Sequence, residues 1–294
     1  MPWFFSEEPG AVVSAAIDKY VYVTVSGKYD GTYRAAYSQM ETVVSPGEFE
    51  HELIRQVLLG VPSLVKGIEI HSIADIPGGT GLGSSSAFTV GLLRAVWPSW
   101  SQSRLVVGAI GVEIDVRHQL VGVQDAYPAV YGGIRLYGFE AHKQASWTTI
   151  ECPAEELARN CLLLDTGVRR AATRHAGDVL AAQKQNREDI RELVDLAKGF
   201  AKELNNRDYE ICGLIMDQAW EVKRQYCETP QIASWYETAR DAGAWGGKLC
   251  GAGEGGFMLF MAPPGAHKDI IRTLGLRHVP VKFGVKGSEI VYHD

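Results

Sequence analysis

The chain has 294 residues, 46% hydrophobic and 22% charged, which is typical of a folded globular protein and excludes a disordered or fibrous one. A formal net charge of −6 leaves no basic surplus to neutralise a phosphate backbone, so nucleic-acid binding is not expected. The five cysteines include no C-x-x-C pair, which argues against a zinc site or a disulfide framework. No secretory signal or bilayer-spanning apolar stretch is recognisable, so we expect a cytoplasmic protein without membrane partners.

Hydrophobic periodicity predicts mixed strands and helices in the first half of the chain. The predicted elements are strands within 11–25, 32–38, 67–73 and 131–140, and helices at 48–59, 84–97 and 102–120. A glycine-rich loop at 77–83 precedes the helix at 84–97, and Ser84 is predicted to be its N-cap. Phe88, Leu92 and Val96 recur every four residues and predict the buried face of that helix.

The second half is predicted to be mainly helical. We expect a strand at 161–164, helices through most of 171–243, a strand at 256–261, a helix at 265–274 and a last strand at 280–285. Because strands come first and helices later, without regular βαβ alternation, the pattern favours an α+β fold. The polar stretch 141–155 lacks periodicity and predicts a boundary between two domains, residues 1–150 and 151–294.

The segment with the clearest chemistry is Pro77–Ala87, which we call the first glycine segment. It reads PGGTGLGSSSA and lies between a predicted strand and a predicted helix. Glycines allow backbone amides to approach a ligand closely, and a helix N-terminus favours a phosphate. A flexible turn with a serine cap is the plainer alternative. The residues predicted to bind a nucleotide are Pro77, Gly78, Gly79, Thr80, Gly81, Leu82, Gly83, Ser84, Ser85 and Ser86.

These residues match the signature P-x-x-x-G-L-G-S-S-A/S-A, and the sequence therefore resembles the GHMP kinases, which include galactokinase, homoserine kinase and mevalonate kinase. A second glycine segment, Lys248–Phe257 (KLCGAGEGGF), resembles their C-terminal loop. Within the family, the stretches 17–23, 75–93, 121–133, 162–170 and 246–260 look most like the D-glycero-D-manno-heptose 7-phosphate kinases. The resemblance implies an N-terminal domain like domain 2 of ribosomal protein S5, a ferredoxin-like C-terminal domain, and the cofactors ATP and Mg²⁺.

The resemblance also assigns roles to single residues. Asp125 matches the family's catalytic aspartate, which accepts or orients the proton of the acceptor hydroxyl. Ser85 and Glu113 match the ligands of Mg²⁺. The structural alternatives are a loop aspartate that caps a turn and, for Glu113, a surface ion pair with Arg117 four residues on.

Substrate contacts are expected from several short stretches. Asp18 and Lys19 face either a sugar or solvent, and the pair Arg169–Arg170 holds a substrate phosphate or begins a solvated helix. The remaining residues assigned to the substrate are Thr166, Gly251 and Gly253.

The sequence departs from the family pattern at two places. The opening motif R-x-P-x-R-x-x-F-G-G-G-G-T-D is not recognisable, since Met1-Pro2-Trp3 matches what normally follows it. We expect that its absence removes a basic side chain, a sugar-binding aspartate and a strand, and lowers turnover. Glu254 stands where the C-terminal loop normally has glycine, and it either faces solvent or repels phosphate.

The sequence as a whole predicts an ATP-dependent kinase that phosphorylates the anomeric hydroxyl of a heptose 7-phosphate. Two alternatives stay open: a kinase for another sugar, such as galactose or fucose, and a nucleotide- or sugar-binding homologue that transfers nothing. The expected partners are ATP and a sugar phosphate, and a homodimer is left open as the assembly.

Overall fold

The computed structural model describes residues 4, 7–61, 67–117, 122–141, 145–168, 187–251, 253 and 255–293. Its contacts divide the chain into two compact units. Unit 1 contains Met1–Asp18, Gly78–Leu82 and Gly133–Val285, and unit 2 contains Lys19–Pro77, Gly83–Gly132 and Lys286–Asp294. The chain therefore passes between the units several times, and the domain boundary predicted after residue 150 stays a prediction.

The described part of the chain contains strands and helices in both units. The strands are β1 (Gly10–Ala15), β2 (Val21–Gly27), β3 (Tyr33–Ala36), β4 (Met40–Val43), β5 (Ile68–Ala74), β6 (Ile134–Phe139), β7 (Ser146–Thr149), β8 (Cys161–Asp165), β9 (Gly246–Leu249), β10 (Phe257–Met261) and β11 (Arg277–His278). The helices are α1 (Glu52–Leu59), α2 (Ser84–Val96), α3 (Gln102–Arg117), α4 (Ala126–Tyr131), α5 (Ala154–Arg159), α6 (Arg187–Asn206), α7 (Tyr209–Cys227), α8 (Pro230–Asp241) and α9 (His267–Leu274).

Unit 2 is built on a four-stranded sheet in the order β2-β5-β3-β4. β3 runs parallel to β5, and the other pairs are antiparallel. Exposure alternates along β2, as expected for a strand with one covered face. Tyr22 and the other even-numbered side chains are exposed, whereas Val23 lies against Gly91 of α2. Phe88, Leu92 and Leu93 are buried on α2. The sheet thus anchors the helix that follows the first glycine segment.

Unit 1 contains two antiparallel sheets, in the orders β1-β6-β7 and β11-β8-β10-β9. β8 reads CLLLD, and its first four residues are buried, as expected for a strand covered on both faces. Its Leu162 and Leu164 pack in one core with Trp220, Tyr236 and Phe260. This core supports both ends of the second glycine segment, which connects β9 to β10.

The α+β prediction is confirmed, and most predicted elements are present with small shifts in their ends. The region 11–25, predicted to hold strands, forms β1 and most of β2. Two details of the prediction were wrong. The N-cap of α2 is Gly83 rather than Ser84. The predicted strand at 280–285 contributes only an isolated bridge between Ile17 and Phe283, because Gly284 adopts a φ of 71°.

Candidate active site

The first glycine segment adopts a backbone that requires glycine at alternate positions. Gly79, Gly81 and Gly83 have φ values of 74°, 81° and 73°, in the left-handed region that side chains with a Cβ rarely adopt. Other residue types would adopt this backbone only with strain. Gly78–Leu82 belong to unit 1, and Gly83 onward belongs to unit 2.

In unit 2, the start of α2 brings two serines to a buried carboxylate. Glu113, on α3, is 2% exposed. Its Oε1 accepts hydrogen bonds from Ser85 Oγ and Ser86 Oγ, both at 3.0 Å, and its Oε2 accepts a second one from Ser86 Oγ at 2.8 Å. Glu113 is buried rather than on the surface. The alternative of an ion pair with Arg117 stays a prediction, because the Arg117 side chain lies outside the described residues. The arrangement joins a carboxylate and a hydroxyl, the hard oxygen donors that Mg²⁺ prefers.

Asp125 lies beside the N-terminus of α2. A Cβ built on Gly83 would lie 3.6 Å from the Cβ of Asp125 and 3.9 Å from its Oδ2. Asp125 is exposed and occupies the N-cap position of α4, but its side chain makes no capping hydrogen bond there. The alternative that Asp125 caps this turn through its side chain is therefore not supported. Unit 2 thus brings together Gly83, Ser85, Glu113 and Asp125, four of the predicted site residues.

In unit 1, the front half of the first glycine segment rests on the second glycine segment. A Cβ on Gly81 would lie 2.6 Å from the carbonyl oxygen of Cys250, and a Cβ on Gly256 would overlap the carbonyl oxygen of Thr80. Thr80 is completely buried. Backbone therefore meets backbone on both sides of this contact, and neither glycine can carry a side chain without displacing the other segment.

Thr166 fixes the far end of the second glycine segment. Its Oγ1 donates to the carbonyl of Gly256 at 2.7 Å and accepts from the N–H groups of Gly256 and Val168, both at 3.2 Å. These bonds use the single donor and both acceptor sites of the hydroxyl. Thr166 acts here on the loop that it holds, and its predicted contact with a substrate stays a prediction.

Lys223, on α7, fixes the near end of the second glycine segment. Its Nζ donates to the carbonyl oxygens of Leu249 at 2.9 Å and Gly251 at 2.7 Å. Between these two residues, burial raises the pKa of the Cys250 thiol despite the opposing effect of Lys248 and Lys223. The thiol therefore stays protonated at neutral pH and is not a nucleophile.

The remaining predicted substrate residues are spread over both units. Asp18 belongs to unit 1, where its Oδ1 accepts a hydrogen bond from the backbone N–H of Lys282 at 2.7 Å. Lys19 is the first residue of unit 2. Gly251 and Gly253 lie in the second glycine segment, with positive φ values of 74° and 127°. Arg169, Arg170 and Glu254 lie outside the described residues.

Comparisons with known proteins relate both units to one family. Residues 51–133 match the GHMP kinases N terminal domain and residues 200–278 match the GHMP kinases C terminal model. The two matched regions together span more than half of the chain. The chain belongs to the GHMP kinase family. The family prediction is thereby confirmed, together with the two-domain GHMP kinase fold.

Individual relatives agree with this family membership. A D-glycero-alpha-D-manno-heptose 7-phosphate kinase of Campylobacter jejuni is 25% identical, over 90% of this chain and 85% of its own length. A D-glycero-D-manno-heptose 1-phosphate kinase structure from Bacteroides thetaiotaomicron has a TM-score of 0.78 at 22% identity, covering 98% of this chain and 92% of that one. Lactococcus lactis galactokinase complexed with galactose has a TM-score of 0.76 at 14% identity, with 97% and 90% covered.

As a GHMP kinase, this chain is a phosphotransferase with a hydroxyl acceptor, as the sequence predicted. No helix in the described part of the chain is both long and apolar enough to cross a membrane. Sequence reasoning missed Lys223, which lies on a helix without any motif and contacts the second glycine segment. It assigned Ser86 to the nucleotide-binding set but not the contact of its hydroxyl with both oxygens of Glu113.

Proposed function

We propose that this GHMP kinase is an ATP- and Mg²⁺-dependent sugar kinase that phosphorylates the anomeric hydroxyl of D-glycero-D-manno-heptose 7-phosphate. The observation that carries the proposal is the group at the start of α2, where Ser85 and Ser86 donate to the buried Glu113 and Asp125 lies beside Gly83. The heptose 7-phosphate kinase of C. jejuni, which matches over 90% of this chain, supports the choice of substrate.

The first glycine segment would hold the phosphates of ATP. The N-terminus of α2, beside the left-handed Gly83, supplies unpaired N–H groups and a partial positive charge for these phosphates. At Gly79, no Cβ would keep a phosphate oxygen from the backbone amides. Both effects stabilise the negative charge on a transferring phosphoryl group without rearrangement of the loop.

Glu113 and Ser85 would hold Mg²⁺, and their chemistry fits that ion. Mg²⁺ is usually bound by one or two carboxylates together with substrate phosphates rather than by a cage of protein ligands. When bound, Mg²⁺ would neutralise charge on the phosphates.

Asp125 would act on the acceptor hydroxyl. The hydroxyl oxygen attacks the γ-phosphorus, the bond from that phosphorus to the oxygen bridging it to the β-phosphate breaks, and the hydroxyl proton passes to the Asp125 carboxylate. Asp125 is exposed and lies beside Gly83 at the start of α2, so its carboxylate is open to an acceptor hydroxyl.

The specificity is proposed to come from a basic site for the distal phosphate, at Arg169 or Arg170. An uncharged sugar would leave the basic side chain of such a site unpaired, which strongly disfavours turnover of that sugar. A second candidate is a kinase for fucose, since a bifunctional fucokinase of Arabidopsis thaliana is 26% identical over 67% of this chain. That match spans only 20% of the plant protein, so it supports fucose as the substrate less strongly than the C. jejuni relative supports heptose 7-phosphate.

The test is an ADP-release assay with ATP·Mg²⁺ and a panel of acceptors: D-glycero-D-manno-heptose 7-phosphate, fucose, galactose and mevalonate. We expect heptose 7-phosphate to give the highest kcat/KM by a wide margin. Equal or better turnover of fucose or galactose would replace the heptose assignment by another sugar. Binding of ATP in calorimetry without turnover of any acceptor would instead indicate a homologue that binds and does not transfer. Cytoplasmic location and a homodimer stay predictions.

A further inference from the structure

We propose that Lys223 is a positioning residue that fixes the second glycine segment and so sets the affinity of the first glycine segment for the phosphates of a nucleoside triphosphate. The inference rests on the proposed nucleotide site. Its basis is the pair of hydrogen bonds from Lys223 Nζ to the carbonyls of Leu249 and Gly251, 2.9 Å and 2.7 Å long. All residues of this chain of contacts belong to unit 1.

The strand ladder between β9 and β10 stops at Cys250. Cys250 donates its N–H to the carbonyl of Phe257 at 2.8 Å, just beyond the end of β9. After Cys250 the segment reads GAGEGG, and glycines lose the most conformational freedom when they become ordered. A charged ammonium that binds carbonyls on both sides of Cys250 supplies fixed points where the ladder no longer does. At the opposite end, Thr166 holds Gly256.

The second glycine segment contacts the first glycine segment at Gly81. The carbonyl oxygen of Cys250 lies 2.6 Å from the position that a Cβ on Gly81 would occupy, so Gly81 rests directly on the residue that Lys223 brackets. Gly81 has a φ of 81° and is central to the proposed phosphate-binding backbone. Movement of Cys250 would therefore displace Gly81, and a loop that is less well preorganised binds its ligand less tightly.

The neighbouring residue on α7 provides a matched control. Arg224 makes ion pairs with Glu221 at 2.6 Å, Glu228 at 2.9 Å and Glu237 at 3.1 Å. None of these partners belongs to either glycine segment. Arg224→Met therefore removes a long basic side chain and several polar contacts from the same helix turn, with no direct effect on Cys250 or Gly81.

The experiment measures the dissociation constant of ATP·Mg²⁺ by calorimetry, and the melting temperature without ligand, for the full chain and four variants. We expect Lys223→Met to weaken ATP binding by about tenfold, as the loss of hydrogen bonds from a charged donor implies. Lys223→Arg should restore most of the affinity because it keeps both donors and charge. Lys223→Gln, which keeps a neutral donor, should fall between them. Arg224→Met should lower the melting temperature. It should leave the dissociation constant of ATP·Mg²⁺ within about twofold, because Arg224 shares no partner with the second glycine segment.

The results distinguish failure of the proposed function from failure of the role proposed for Lys223. Absence of ATP binding by the unmodified chain would overturn the proposed function itself. Normal ATP binding by Lys223→Met would overturn only the role of Lys223. Equal weakening by Arg224→Met would show that loss of stability alone explains the effect. If Lys223→Met fails to fold, the comparison of Lys223→Arg with Lys223→Gln decides, and equal affinity of these two for ATP at the unmodified level contradicts the proposal.

Discussion

The helix end of the first glycine segment and the second glycine segment use similar residues in opposite ways. At the helix end, Gly83 starts α2, and the side chains of Ser85 and Ser86 then reach Glu113. In the second segment the important contacts are made by backbone, as where Gly256 lies against Thr80. One region thus works through the functional groups that it presents, and the other through the close approach that missing side chains permit.

This difference predicts different consequences of mutation in the two regions. Conservative changes at the helix end should remove chemistry and leave the fold intact. Adding a single methyl group in the second segment should instead damage folding and ligand binding together, although no reacting group is lost. The following expected outcomes test that distinction, beginning with the largest.

Asp125→Asn should lower kcat by about 10²–10⁴-fold, because the amide keeps the shape of the side chain and cannot accept the hydroxyl proton. KM for both substrates and the melting temperature should change little. Steady-state kinetics with ATP and heptose 7-phosphate provide the measurement, and Asp269→Asn, an exposed aspartate on α9, is the control. An unchanged kcat would exclude Asp125 from the chemistry.

Gly256→Ala should lower the free energy of unfolding by about 2–5 kcal/mol, through overlap with Thr80 and a φ of 102° that is strained for alanine. ATP affinity should fall with it, since Thr80 belongs to the first glycine segment. Urea unfolding and calorimetry measure the two effects. Gly265→Ala is the control, because a Cβ there meets nothing within 4 Å. A Gly256→Ala variant as stable as the unmodified chain would contradict the close backbone contact.

Glu113→Gln should raise the Mg²⁺ concentration needed for half-maximal activity by about 10–100-fold, the usual effect of weakening a metal site. The amide is similar in size and can still accept hydrogen bonds from Ser85 and Ser86, so stability should be nearly kept. Saturating Mg²⁺ should recover part of the lost activity. Glu192→Gln, at an exposed position of α6, serves as the matched control. An unaltered Mg²⁺ titration of Glu113→Gln would remove Glu113 from the metal site.

The smallest effect is expected for Ser84→Ala in the absence of ligand. Gly83 is the N-cap of α2 and makes no side-chain capping bond, so Ser84 is already inside the helix. Its loss should change the free energy of unfolding by less than about 0.5 kcal/mol, whereas a capping serine typically contributes about 1 kcal/mol. Chemical denaturation of the unmodified chain and of Ser84→Ala measures this difference. A loss as large as that of a capping serine would show that Ser84 is the N-cap.

Local patterns predicted much of the fold because the elements concerned are long and periodic. The helix at 84–97 shows apolar residues every four positions, and the structure ends it one residue earlier. β4 and β7, each of four residues, were too short to stand out. The strand expected at 280–285 looked regular, but Pro280 lacks an N–H donor and Gly284 takes a left-handed conformation.

For the candidate site, the sequence motif identified residue types but not their partners. Ser86 and Glu113 are 27 residues apart, and Lys223 and Gly251 are 28 apart. Separations of this size follow no helical or strand period, since they depend on how whole elements pack. The motif therefore assigned Ser86 to the nucleotide-binding set, and only the fold shows that its hydroxyl contacts the Glu113 carboxylate.

The interleaving of the two units has a consequence for how the chain folds during its synthesis. Gly10 pairs with Phe139 in the first sheet of unit 1, and Asp165 pairs with Phe257 in the second. The N-terminal strand must therefore wait for partners that leave the ribosome much later, whereas β2, β5, α2 and α3 of unit 2 become available earlier. Long-range pairing of this kind folds slowly, so we expect β1 to stay unpaired for longer than β2 during synthesis.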